Sequence, residues 1–402
     1  MFSNISPVKK YAIVLIFLVA AVLGTLKVFH HVSLGGNDER TYAFYMNTVN
    51  NYGIGTVSSL SQAYYKVPDN QRPPTPLRVF FIFTGVLTCQ ISGTCGLQNL
   101  AMISFFSRII LILIAFFWLS KLFDPKIAFL SSVLLLISPA GLWSAERALQ
   151  DSFFALLMVA AIIAYHYCWN GERPRMPLLF GMILVAGFLT KESMIFLYPC
   201  FFTSGIYYWR QNKTIPWRRI LMPLISSPII YLIIISILVG GLGAVIDHYV
   251  FFMKGMNKVE YVARFQLGPW YRPIIDWMLV SPVAFLLAVV GMVISVSSQK
   301  NTGGRNLMAI YLISGLLVFG TFSIQNLRYV LFLDVFICAL AVIGALSLSE
   351  KMKNHRYQTA IFALILLLIA SSDIIQFFKI FVVAKVYDPV TATIMTSLGF
   401  IR

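Results

Sequence analysis

Along the chain, apolar runs of about twenty residues alternate with short charged turns, and about twenty apolar residues suffice for a helix to cross a bilayer. Runs near that length fall at about 11–29, 99–119, 127–143, 152–168, 177–190, 193–209, 220–245, 277–297, 306–322, 329–348 and 359–377. The pattern predicts an all-α polytopic membrane protein with about eleven transmembrane helices. We read residues 1–402 as a single transmembrane domain, with no soluble domain, repeat or linker. The first run follows Lys9 and Lys10 and exceeds a typical signal h-region, with Lys27 where cleavage would fall, so it reads as a retained anchor. A further apolar stretch, Pro76 to about Ile91, is short, carries Arg78 and follows Pro73 and Pro74.

Charge settles how that stretch is read. With the N-terminus inside and Pro76–Ile91 lying at the membrane edge, the even-numbered turns share the N-terminal side. They hold Lys121 and Lys126; Arg173 and Arg175; Arg210, Lys213, Arg218 and Arg219; Lys300 and Arg305; Lys351, Lys353 and Arg356. A spanning Pro76–Ile91 would flip every one of these basic turns outward, against the positive-inside rule. The stretch therefore reads as an amphipathic or re-entrant juxtamembrane helix. Long loops at about 30–98 and 246–276, and the tail after 377, then face outward.

Composition agrees. Hydrophobic residues are 59% and charged residues 11% of the chain, with mean hydropathy +0.81. A water-soluble domain cannot hide that much apolar surface, and a disordered chain would not contain it. The net charge of +16 would suit nucleic acid. No basic stripe, zinc-finger spacing or nucleic-acid motif accompanies it, so no nucleic-acid partner is expected. Membrane lipids are expected partners instead.

With only 15 acids in the chain, those at the membrane edge are candidates for chemistry. The sharpest group opens the first outer loop: Gly35-Gly36-Asn37-Asp38-Glu39-Arg40-Thr41-Tyr42. Two adjacent carboxylates there suit a general base, and Asn37 or Asp38 equally suits a helix N-cap. Asp151 begins a run on the same side and carries the same two readings. Lys191-Glu192, between two short apolar segments, reads either as a mutually neutralised pair or as part of an outward cavity. The second outer loop mixes Lys254, Lys258, Arg264 and Arg272 with Trp270, Tyr271 and Trp277, which suits an anionic lipid head group or plain interfacial anchoring. Arg328-Tyr329 ends a span, where arginine can clamp a phosphate or snorkel. His30 and His31 lie near the first acids, but no metal-ligand spacing supports a site. Cys89 and Cys95 are the only cysteine pair near the outer face, and a disulfide would need an oxidising compartment.

The order of these elements is familiar. A first span leads to Asp38-Glu39-Arg40-Thr41-Tyr42, then Arg72-Pro73-Pro74-Thr75-Pro76-Leu77, Arg108 within a span, Ser138-Pro139 before Asp151, Gly187 with Thr190-Lys191, and Arg328-Tyr329. It resembles the integral-membrane GT-C glycosyltransferases, in particular the branch holding protein O-mannosyltransferases and lipid A aminoarabinose transferases. The pattern covers residues 1–210 well and the variable half, 211–402, loosely. The resemblance implies a polyprenyl-phosphate-sugar donor, used at the outer face of a bacterial inner membrane. The acceptor would be an envelope lipid, glycan or protein. Asp38, Glu39 and Asp151 take the catalytic positions. Arg40, Tyr42, Arg72, Lys191, Glu192, Arg264, Arg272, Arg328 and Tyr329 are expected around substrate. A divalent cation could assist, without a defined ligand set. The family's Pro-Pro-Leu element is interrupted here by Thr75 and Pro76. Two other classes remain: a transporter or flippase of lipid-linked sugars, for which Arg108 is the chief argument, and an envelope polysaccharide polymerase, which does not predict acids directly after the first helix.

Overall fold

A computed structural model describes residues 6–29, 34–68, 72–171, 174–256, 258–297, 303–352 and 354–401. These residues form helices joined by short turns, with no β-strand among them. Seven helices are long and apolar enough to cross a membrane, or eight if the pair Pro125–Ile137 and Pro139–Glu146, bent by 56°, counts as one span. Every expected run is helical, but several fall short of a full crossing. Met176–Thr190 has 15 residues and Pro282–Ser297 has 16. Apolar runs reveal helices better than they reveal where prolines and turns cut them.

The helices group into two compact units. The first comprises Val32–Ser107 and Ala145–Gly268; the second comprises Met1–His31, Arg108–Ser144 and Pro269–Arg402.

In the first unit, α1 (Asn37–Tyr52) and α2 (Thr56–Tyr64) lead through the proline segment to α3 (Val79–Ser92). Cys89, near the end of α3, is disulfide-bonded to Cys95. Next come α4 (Asp151–Asn170), α5 (Met176–Thr190), α6 (Leu197–Asn212), α7 (Trp217–Val239) and α8 (Leu242–Met256). Helix α5 packs between α4 and α7, and α1 packs on α3. The stretch read as juxtamembrane is thus a 14-residue helix, α3.

The second unit is built around Asp334–Ser349, whose residues are nearly all buried. Its main partner is Pro282–Ser297. A Cβ on Gly291 would lie 2.1 Å from the Leu340 carbonyl oxygen, and one on Gly344 would lie 2.3 Å from that of Leu287. Two glycines therefore bring the backbones into direct contact, which is how helices pack where lipid supplies no hydrophobic drive.

Candidate functional site

The candidate acids lie in the first unit. Helix α1 starts after Gly36, and its cap is made by Glu39. Oε2 of Glu39 accepts from the Gly35 and Gly36 amides at 2.8 and 2.9 Å, and Oε1 accepts from the Ala148 amide at 3.0 Å. Three backbone donors satisfy both oxygens of a carboxylate that is wholly buried. The turn favours glycine at Gly35, whose φ is +123°, and a Cβ there would lie 3.2 Å from Arg40 Nε. The cap therefore falls to Glu39, where Asn37 and Asp38 were the sequence candidates. Asp38 stands beside it, half-buried, in the first turn of α1, with exposed Arg40 two residues on.

Tyr42 is buried one turn later, and its hydroxyl accepts from Arg78 Nη1 at 2.6 Å. Arg78 Nη2 binds Glu192 Oε1 at 3.0 Å, with 13% and 29% of the two side chains exposed. Oriented to satisfy its neighbours, the Gln150 amide donates to the Thr190 carbonyl at 2.8 Å and accepts from Arg78 at 2.8 Å and from Tyr42 at 3.1 Å. Burial raises the Tyr42 hydroxyl above the ordinary phenol range against the pull of Arg78, so it remains a neutral donor. Burial acts to raise Glu192 as well, but the charge and hydrogen bond of Arg78 outweigh it and hold the carboxyl below its usual value.

Lys191 and Glu192 do not neutralise each other. Lys191 is extended, with φ −160° and ψ 127°, so consecutive side chains point apart. Lys191 Nζ reaches Asp151 Oδ1 at 3.3 Å, and both side chains are buried. Asp151 sits in the first turn of α4, and its carboxylate serves this ion pair. The structure thus brings Asp38, Glu39, Tyr42, Asp151, Lys191 and Glu192 into one unit; Arg78 joins Tyr42 to Glu192, with Gln150 on Arg78 and Tyr42, while Asp151 and Lys191 pair with each other. Neither Arg78 nor Gln150 was expected among the site residues. Arg78 opens an apolar helix directly after the proline segment, and Gln150 precedes Asp151; a polar group at either place is costly without a partner.

The proline segment is pinned from several directions. Tyr45 and Tyr64 donate to the carbonyls of Pro74 and Pro73, each at 3.0 Å. Thr75, the residue that interrupts the expected element, bonds His248 Nε2 at 2.8 Å and accepts from the Leu77 amide. Ser61 bonds His248 Nδ1 at 2.9 Å. Burial lowers His248 to about 4, so the ring is neutral. Arg72 lies 3.6 Å from the centre of the Phe251 ring and donates to its carbonyl. Arg264 is exposed in a π-helical turn, beside Phe265.

Arg272, Arg328 and Tyr329 belong to the second unit. Arg272 Nε donates to Thr391 Oγ1 at 2.8 Å, and Thr391 donates to Asp276 at 2.5 Å. Arg328 pairs with Asp388 at 3.3 Å, and Asn326 donates to the same carboxylate at 2.5 Å. Both arginines are buried in a network that ties the tail to the 269–334 segment. Tyr329 follows in the short helix Leu327–Leu333. Arg108 donates to Asp334 at 2.9 Å and to the Leu135 carbonyl. Among the described residues no group of three His, Cys, Asp or Glu is arranged to hold a metal. His30 and His31 lie outside the described residues.

Residues 74–240 match the family model of dolichyl-phosphate-mannose-protein mannosyltransferases. The match includes Arg78, Asp151, Lys191 and Glu192 and begins after Asp38. A search of curated proteins finds no sequence match. Among solved structures, the apo oligosaccharyltransferase of Archaeoglobus fulgidus aligns with TM-score 0.65 at 13% identity, over 91% of this chain and 55% of that one. ArnT from Cupriavidus metallidurans aligns in the apo state with TM-score 0.54 at 14% identity, over 92% and 73% of the two chains. Its form bound to undecaprenyl phosphate gives 0.59 at 12%, over 97% and 75%. The chain thus spans about half the length of the oligosaccharyltransferase. At these identities the likeness is one of fold. The fold is that of the GT-C membrane glycosyltransferases. Within that class the chain resembles the branch of O-mannosyltransferases and ArnT, as its motif order implied.

Proposed function

We propose that the protein transfers a sugar from a polyprenyl-phosphate donor to an envelope lipid, glycan or protein acceptor at the outer face of the membrane. The observation that carries this reading is the division of labour between Asp38 and Glu39. Glu39 is consumed in fixing the start of α1, and this sets the neighbouring carboxylate of Asp38 at a defined, half-exposed edge. A base held there removes the proton of an acceptor hydroxyl as its oxygen attacks the anomeric carbon. The bond from that carbon to the phosphate oxygen breaks, and polyprenyl phosphate leaves with the electron pair. Inversion at the anomeric carbon is expected from the resemblance. Were the acceptor itself a phosphate, no base would be needed and Asp38 would only orient it.

The leaving phosphate develops charge and needs cations. Of the residues expected around substrate, Arg40 and Arg264 are exposed arginines of the first unit and are assigned that task. The Arg78–Glu192–Gln150–Tyr42 network and the Asp151–Lys191 pair position the surrounding backbone. The Cys89–Cys95 disulfide supports placing the 30–98 segment in an oxidising compartment outside the membrane. The transporter reading leaned on Arg108, whose guanidinium is engaged by Asp334 and Leu135.

The test compares envelope lipids and glycans by mass spectrometry in three strains: wild type, a deletion, and the deletion complemented with Asp38→Asn at equal protein level. A sugar-bearing species that vanishes in the deletion and stays absent with Asp38→Asn supports transfer, and its mass names both sugar and acceptor. Full restoration by Asp38→Asn removes Asp38 from the mechanism.

A further inference from the structure

The end of the first unit remote from Asp151 carries a second chemistry. Helix α4 runs about 30 Å from Asp151 to Asn170. Helix α5 returns to Thr190, and α6 descends again to Asn212 before α7 begins at Trp217. The α4–α5 and α6–α7 turns therefore share the remote end, and Arg219 lies against Gly171 to join them.

The α6–α7 turn reads Trp209-Arg210-Gln211-Asn212-Lys213-Thr214-Ile215-Pro216-Trp217-Arg218-Arg219. Four cations fall within ten residues, and no acid occurs between Glu192 and Asp247 to offset them. Arg210, Lys213 and Arg218 are exposed. So are the two flanking tryptophans, Trp209 at 48% and Trp217 at 57%. Each tryptophan ends an exposed apolar stripe. On α6 the stripe is Phe202, Ile206 and Trp209, at helical spacing; on α7 it runs from Trp217 through Leu221 to Ile225. Such stripes suit acyl chains, tryptophans suit the head-group boundary, and the cations stand just beyond them. A soluble polyanion would account for the charge but not for apolar stripes leading into it.

We propose that this turn is a binding site for anionic phospholipid head groups in the leaflet opposite the candidate active site. Arg210, Lys213 and Arg218 contact the phosphates, and Trp209 and Trp217 set the depth. Arg219 fixes the turn against Gly171. The site is independent of sugar transfer, and its test needs no substrate.

The full chain is reconstituted in nanodiscs of phosphatidylcholine containing phosphatidylglycerol. Retained lipid is then measured by native mass spectrometry during graded delipidation. Wild type should keep phosphatidylglycerol in preference to phosphatidylcholine. The variant R210Q/K213Q/R218Q should lose that preference, with retention roughly a hundredfold weaker for three charges. The control R305Q/K351Q/R356Q removes three cations from turns of the second unit and should keep it. Equal loss in the control overturns the proposal, because net charge alone would then explain retention. Release of phosphatidylglycerol from wild type by inositol hexakisphosphate overturns it too, in favour of a soluble polyanion site. Should the triple glutamine variant not fold, R210K/R218K and salt titration of wild type decide the matter. The preference should survive the lysine swap and fade with salt, and a salt-insensitive preference overturns the proposal.

Discussion

Both units of this protein contain arginine–carboxylate pairs, and the two sets differ in what surrounds them. In the second unit, Arg108 and Asp334 are 4% and 2% exposed, and Arg108 also donates to the Leu135 carbonyl. In the first unit, Arg78 and Glu192 are 13% and 29% exposed and share their network with Tyr42 and Gln150, one helical turn from Asp38. The same residue types are sealed in one place and reach a surface in the other. An enclosed pair holds helices in register and is costly to break. A pair at an accessible edge organises groups that can meet a substrate. Arginine within a membrane protein is therefore informative only together with its partner and its exposure.

The largest effect expected is on transfer. Asp38→Asn should lower turnover by about 100- to 10,000-fold, the range for loss of a general base, while thermal stability stays near wild type. Single-turnover assays with purified protein measure this. Arg108→Leu should do the reverse. Leaving Asp334 buried without its partner costs roughly 3–5 kcal/mol, and adding Asp334→Leu should recover much of it. Turnover per folded molecule should change little. If Arg108→Leu abolishes turnover in folded protein, the contrast between the units fails.

Two further predictions concern pH, and their signs oppose each other. Burial lowers His248 from 6.5 to about 4, so the folded first unit resists a proton that the unfolded chain accepts. Stability from this group is full above pH 6.5 and falls as pH drops toward 4, by an amount on the order of 3 kcal/mol. His248→Gln should flatten the dependence of Tm on pH in that window. In the second unit, burial raises Asp276 from 3.8 to about 6, with Asp388 adding to the rise and Thr391 and Arg272 opposing it. Here stability is full below pH 3.8 and declines as pH rises through 6, by slightly less. Asp276→Asn should remove that decline. Identical pH slopes in both variants would show that neither group titrates as its surroundings dictate.

The fold was largely legible in the sequence. Runs of apolar residues identified the helices because lipid-facing and core-facing positions are both apolar. Crossing lengths were less legible: the stretch 277–297 reads as one span, yet it is divided at Ser281 between the helices Arg272–Val280 and Pro282–Ser297. Asp38, Asp151 and Lys191-Glu192 were recognisable as costly groups at helix ends. Their partners were not. Arg78 and Glu192 are separated by 114 residues, and Arg108 and Asp334 by 226. No local pattern encodes such distances. The separation of Asp38 from Glu39 also required the backbone, because only the positions of the Gly35, Gly36 and Ala148 amides show which carboxylate caps the helix. Arg272 and Arg328 were expected around substrate, and their partners Thr391 and Asp388, far along the chain, were not legible.

The extended residue at Lys191 makes chain length at this junction a matter of inheritance as well as geometry. Adjacent side chains there serve different helices, Lys191 turning to Asp151 and Glu192 to Arg78. Inserting one codon between Thr190 and Lys191 would put the inserted residue opposite Asp151 and lysine in the place of glutamate opposite Arg78. Both ion pairs would be lost and one repulsion gained from a single genetic event. Related genes should therefore tolerate many replacements on the lipid-facing side of α5 yet keep the number of residues across 190–193 constant.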